Sequence, residues 1–159
     1  MAIRVGIKAL IVRDGRILLN RCRRGDKFTY YTLPGGGQRQ YESVMQALER
    51  EEIREETGLS IRPLHMAAMC EEITTDLKSR AQSPDYTHRL TLIFAAKPLD
   101  DVSAALEHPD SEMQCSEWVA LEQADELNLY PRPLRRHIKE ALCANGALWL
   151  GTDFIENDG

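Results

Sequence analysis

Long apolar runs are missing from this chain, and the longest stretches, such as Leu90 to Ala96, are far too short to span a bilayer. Met1 to Lys8 offers no signal-peptide h-region, so export through the general secretory route is not expected. An excess of positive charge is also absent. Twenty Lys and Arg stand against 25 Asp and Glu, for a formal net charge of −5. A general nucleic-acid binder needs the opposite balance, so no nucleic-acid partner is expected. Cysteine is sparse, with Cys22, Cys70, Cys115 and Cys143 far apart, no C-x-x-C and no His at zinc-finger spacing. Four reduced thiols acting as small buried hydrophobes, in a cytoplasmic protein, are the expectation. Aromatics make up only 6% of the residues.

What is present fits one domain. The 159 residues are 43% hydrophobic, enough for a sizeable core and no support for two, so residues 1–159 are read as a single unit. Ile3 to Val12 and Arg16 to Cys22 read as strands joined at Asp14-Gly15. Thr29 to Leu33 is a third strand stopped by Pro34, and Pro34 to Gly37 a tight connection. Ser43, with Gln46 three residues on, predicts a capped helix that runs to Thr57, with Gly58 beyond its end. Leu59 to Thr75 and His88 to Ala96 predict longer strands around a polar loop, Lys78 to Asp85. Glu117 to Leu121 reads as a short strand, Pro131 to Ala144 as a closing helix and Ala147 to Phe154 as a returning strand. The class is α+β, a mixed sheet with a helix on each side.

The chemistry concentrates in Gly35 to Leu59. Between Glu49 and Glu56 lie five Glu, two Arg and one Ile. Glu51 with Glu55, and Glu52 with Glu56, are like charges at i,i+4, each weakening an isolated helix by a few tenths of a kcal/mol. Glu also sits at the wrong end of the helix for the macrodipole. A divalent cation reverses that penalty, since hard cations take carboxylate oxygens. Positions 52, 55 and 56 share one helix face. A solvated acidic face partly relieved by Arg50 and Arg54 is the plain alternative.

Gly36, five residues, Glu42, seven residues, Arg50-Glu51, then Ile53-x-Glu55-Glu56-x-Gly58-Leu59 resembles the Nudix box, over about one seventh of the chain. The resemblance implies the Nudix α/β/α sandwich. It differs in one place: the family has an apolar residue directly after Arg-Glu, whereas Glu52 follows here. The hydrophobic stripe slips at the same point. At about 100° per residue, Ile53 falls roughly 140° from Leu48, off the stripe of Val44, Ala47 and Leu48. One extra residue, accommodated as a π-bulge or wide turn near Arg50 to Glu52, is therefore expected. A second register keeps a regular helix and sets Ser43 and Glu51 where the family has Glu and Arg.

The resemblance implies metal-dependent hydrolysis of the diphosphate in a nucleoside diphosphate linked to another moiety, a small-molecule partner. Magnesium or manganese would be held by Glu55 and Glu56 with a third carboxylate from Glu51 or Glu52, Glu52 being preferred for its three-residue spacing to Glu55. Gly36 would contribute its carbonyl or simply permit close approach. Arg50 would orient a catalytic glutamate, Glu52 or Glu55, and Glu42 would help hold the helix. Glu112, five residues before Glu117-Trp118, is the candidate for a further acidic residue; a surface glutamate is the plain reading. Arg21, Arg23 and Arg24 could contact phosphates, although exposed arginines are common. Tyr30, Tyr31 and Tyr41 could stack a base, with packing the alternative. His88 is read as a satisfied or exposed residue and Trp118 as core. Dimers occur among relatives, so a homodimer is open, and a Nudix-fold binding domain without turnover is the second functional reading.

Overall fold

The computed structural model describes residues 2–26, 28–99 and 112–156, the side chains of Glu51 and Glu52 excepted. Strand β1 (Arg4–Arg13) turns at Asp14-Gly15 into β2 (Arg16–Arg24), which pairs antiparallel with β3 (Phe28–Thr32). Asp14 and Gly15 both take positive φ, 51° and 71°, as a two-residue hairpin turn requires. The glycine run expected as a connection is itself a strand, β4 (Gly35–Gly37), antiparallel to β1. Two helices follow, α1 (Val44–Glu49) and α2 (Glu51–Thr57), in place of the one continuous helix expected.

β5 (Ile61–Thr74) and β6 (His88–Pro98) are antiparallel, and β6 runs parallel to β1. The polar segment between them is α3 (Leu77–Gln82) and a 3₁₀ turn (Pro84–Tyr86), not a loop, because Asp76 caps α3 by accepting from Ser79 N–H at 2.8 Å. β7 (Met113–Ala120) joins β2, followed by α4 (Leu121–Ala124) and β8 (Leu129–Tyr130) beside β3. The expected closing helix is shorter, α5 (Ile138–Cys143), preceded by a 3₁₀ turn at Arg132–Leu134. β9 (Leu148–Ile155) closes the order β8-β3-β2-β1-β6-β5-β9, with β4 on β1 and β7 on β2.

Alternation along the strands divides the core in two. Ile7, Ala9 and Ile11 face Ala47, Leu48 and Ile53 of α1 and α2 together with Phe94 and Ala96. Leu10, Ile93 and Ala95 face the other way, against Leu19, Leu33, Ile138 and Ala141. Helices therefore lie on both sides of the mixed sheet, as the sequence implied. Two cysteines depart from the expectation of burial: Cys115 is half-buried and Cys143 exposed. Trp118 is also only half-buried, with the Arg13 guanidinium 4.8 Å from its ring centroid. Among the described residues no helix is long and apolar enough to cross a membrane.

Candidate active site

The capping box read from the sequence forms. Ser43 Oγ accepts from Gln46 N–H at 3.1 Å, and Gln46 Oε1 accepts from Ser43 N–H at 2.8 Å. α1 stops at Arg50, whose φ of −58° and ψ of 150° are extended. The interruption falls where the extra residue was expected, but as a full break between two helices and not as a π-bulge. One extended residue resets the helical phase, and Ile53 becomes 2% exposed in the same cluster as Leu48. α2 ends on Gly58, in the left-handed region at φ 73°.

Arg50 spans the break. Its Nε donates to Glu42 Oε1 at 2.8 Å, and its Nη2 to Glu42 Oε2 and to the Gly37 carbonyl, both at 2.9 Å. Arg50 and Glu42 thus occupy the first of the two registers. The N–H of Arg39, ahead of the Arg50 guanidinium, holds the Glu42 carboxyl below its usual range.

β4 presents its backbone to α2 in an alternating way. Ala9 N–H donates to Pro34 O and Gln38 N–H to Val5 O, a phase that sets Gly36 opposite Ile7 with its polar groups in the β1 ladder. Gly35 and Gly37 point the other way: Gly35 N–H donates to Glu56 Oε2 at 3.2 Å and its carbonyl accepts from Lys8 Nζ at 2.5 Å. The glycine whose outward polar group meets Glu56 is therefore Gly35, through its N–H, and not Gly36. Only glycine fits there, since φ is +123° and a Cβ would stand 2.2 Å from the Ile7 carbonyl oxygen.

Glu56, half-buried, also accepts from Asn20 Nδ2 at 2.9 Å. Ser116 Oγ lies 2.9 Å from Asn20 Oδ1 and 2.8 Å from the Glu56 carbonyl. Glu55 is exposed beside it. Among the described residues no three acidic, His or Cys side chains converge on one point, and the Glu51 and Glu52 side chains lie outside them. The donor chemistry still suits a hard divalent cation: adjacent carboxylates on α2, an outward glycine carbonyl, and the Lys8 ammonium already drawn to that carbonyl.

The arginines separate. Arg24 shares the face of β2 that carries Asn20 and Cys22, whereas Arg21 and Arg23 alternate to the other face. Arg21 lies 3.8 Å from Glu117, and Arg23 donates to the Asp26 carbonyl at 2.7 Å. Arg24 binds Glu112 at 2.7 Å and stands 5.6 Å from the Tyr30 ring. Burial pushes the Tyr30 hydroxyl up to about 12 and raises the Cys22 thiol, to which the charges of Glu112 and Glu56 both add. Tyr41 is 97% exposed, and His88 pairs with Glu71 at 2.7 Å.

A cleft of about 310 Å³ opens beside the glycine strand, lined by Arg4, Lys8, Arg89, Tyr86 and Tyr130 over the buried Glu72. Arg89 lies 3.3 Å from Glu72, and the Arg4 guanidinium 4.7 Å from the Tyr86 ring. A second cavity of about 180 Å³ shares Thr32, Arg89 and Tyr130 and adds Arg24, Phe28 and Tyr30. Sequence reading missed Arg4, Lys8, Asn20, Glu72, Arg89 and Ser116. Asn20 alone left a trace, as a single amide among Ile17, Leu18 and Leu19.

Comparison with known proteins agrees with this arrangement. The model of the NUDIX domain matches residues 2–141. No curated protein matches the sequence. Among solved structures, the fold is similar to that of a mutator MutT protein from Bacillus halodurans, with a TM-score of 0.71, 19% identity, and coverage of 98% of this chain and 92% of that one. A MutT NUDIX hydrolase from Burkholderia pseudomallei is similar at 27% identity and a TM-score of 0.57, covering 89% of this chain and 97% of that one. An ADP-ribose pyrophosphatase from Streptococcus suis is similar at 18% identity and a TM-score of 0.60, covering 93% and 99%. With the NUDIX domain model matched over residues 2–141, the chain belongs to the Nudix family.

Proposed function

We propose that the chain is one cytoplasmic domain that hydrolyses the diphosphate linkage of a nucleoside diphosphate joined to another moiety, with Mg²⁺ or Mn²⁺ as cofactor. The observation that carries the reading is the seating of Glu56 against Gly35 beside a cleft lined by Arg4, Lys8 and Arg89. Glu52, Glu55 and Glu56 would hold the cation, with the Gly35 carbonyl in the role first assigned to Gly36. When bound, a divalent cation neutralises diphosphate charge and acidifies the attacking water.

The rest falls to the chain's own residues. Arg50 fixes the glycine strand and Glu42 relative to α2, so the carboxylates meet the diphosphate in one geometry. Glu112 is already engaged by Arg24, which favours the exposed Glu55, or Glu52, as acceptor of the water proton. Arg24 in the adjoining cavity, with Lys8 and Arg89 in the cleft beside the glycine strand, supplies positive charge for the phosphates, and Tyr30 and Tyr130 offer rings for a base. Arg21 and Arg23, directed to the opposite face of β2, have no such part. The four free thiols suit a reducing compartment.

A substrate panel of oxidised nucleoside triphosphates, ADP-ribose, nucleotide sugars and dinucleoside polyphosphates tests this with Mg²⁺ or Mn²⁺. Turnover of one class that collapses with chelator, in Glu55→Gln and in Glu56→Gln is the expected result. A folded, metal-binding protein that turns over none of them would replace the hydrolase with a binding domain.

A further inference from the structure

We propose that Asn20, held by Ser116, is a positioning residue that fixes the Glu56 carboxylate for the cation; this rests on the reading of Glu56 as a ligand. The terminal torsion of a glutamate is broad, so nothing in Glu56 itself decides how its two oxygens face. Two donors on one oxygen decide it here: Asn20 Nδ2 at 2.9 Å and Gly35 N–H at 3.2 Å, both on Oε2.

The amide has one workable orientation. A flip would turn Oδ1 towards the carboxylate, acceptor against acceptor, so Glu56 sets the amide's orientation, and Ser116 Oγ donates to the Oδ1 left behind at 2.9 Å. Asn20 and Ser116 are 2% and 1% exposed, so water cannot substitute for these bonds. Packing alone does not explain the amide. Ile17, Leu18 and Leu19 beside it are apolar and buried, and an amide there costs free energy unless it is bonded. A neutral donor also differs from a Lys or Arg in this place: it turns the carboxylate without cancelling the charge a cation needs. Ser116 Oγ also lies 2.8 Å from the Glu56 carbonyl, so its single hydroxyl hydrogen is shared between the amide oxygen and the helix backbone beneath the ligand.

Mn²⁺ affinity, measured by titration calorimetry or by loss of the free-ion paramagnetic resonance signal, tests this in wild type and four variants. Glu56→Gln comes first. If it binds Mn²⁺ like wild type, Glu56 is no ligand, and both the metal assignment and the Asn20 proposal fall. If it loses Mn²⁺, Asn20→Ala decides the present point. The expected result is a folded protein with Mn²⁺ affinity about 10- to 100-fold weaker, and a kcat that recovers as Mn²⁺ is raised. A folded Asn20→Ala with wild-type Mn²⁺ affinity overturns the proposal, because a merely structural amide would change melting temperature and leave the affinity alone. Should Asn20→Ala fail to fold, Ser116→Ala is read in its place: a several-fold weaker affinity supports the proposal and an unchanged one overturns it. The double variant should lose less than the two single losses multiplied, since Ser116 acts partly through Asn20.

Discussion

Arg50 and Glu42 are joined by two parallel hydrogen bonds, Nε to Oε1 at 2.8 Å and Nη2 to Oε2 at 2.9 Å, across the point where α1 gives way to α2. The same guanidinium holds the Gly37 carbonyl at 2.9 Å. Lysine cannot reproduce this, since its ammonium lacks the planar fork. Arg50→Lys should therefore fold but let α2 shift against the glycine strand. A loss of about 100-fold in kcat is expected, on the scale of a 1 Å misplacement; steady-state kinetics with circular dichroism would check it, and near-wild-type kcat would count against the role.

The pH response follows from Glu42. Its folded pKa is lowered from 4.5, first by the Arg39 N–H and then by Arg50. A depressed carboxylate stabilises the fold above its unfolded pKa, and that contribution is lost as pH falls through the folded value. Thermal melts should hold steady from neutral pH down to about 5 and decline below 4.5. Glu42→Gln should melt lower at neutral pH and show a shallower acid decline. An acid limb as steep as that of wild type would assign it to other carboxylates.

Gly35→Ala meets two obstacles, a φ of +123° and a Cβ 2.2 Å from the Ile7 carbonyl oxygen. Strain of that kind costs about 1–3 kcal/mol before the clash is counted. Denaturant melts should show at least that loss, and the Gly35 N–H should no longer reach Glu56. Gly146→Ala is the control, because nothing lies within 4 Å of its added Cβ; it should be close to neutral.

Arg89 serves stability and binding in separable ways. It lies 3.3 Å from Glu72, whose side chain is 4% exposed. Arg89→Ala takes a positive charge from a buried carboxylate and should lower the midpoint of denaturant melts. Adding Glu72→Gln should return much of that stability, whereas KM should stay raised in both proteins because the cleft has lost a cation. Recovery of KM along with stability would show that Arg89 acts only through Glu72.

Local features of the chain were legible. Ser43 and Gln46 formed their capping box, Gly58 ended the helix in the left-handed region, and Asp14-Gly15 made the hairpin. The slip of Ile53 off its stripe marked the place of an irregularity, but not its form. A periodicity argument measures an angle of about 140° to be made up, and a bulge or an extended residue can each supply it. The 3₁₀ turn at Arg132–Leu134 cut short the helix expected from Pro131, since the chain stays non-helical until Ile138.

The sequence by itself determined the family, the α+β class and the acidic box, because each is written in residues that lie within one or two dozen positions of each other. Tertiary structure alone decided which glycine meets Glu56, which arginine shares its side of β2, and that Arg24 engages Glu112. It also brought Asn20 to Glu56 across 36 positions and to Ser116 across 96. No local rule reaches so far: strand pairing fixes those neighbours, and its register comes from the burial of whole sheet faces.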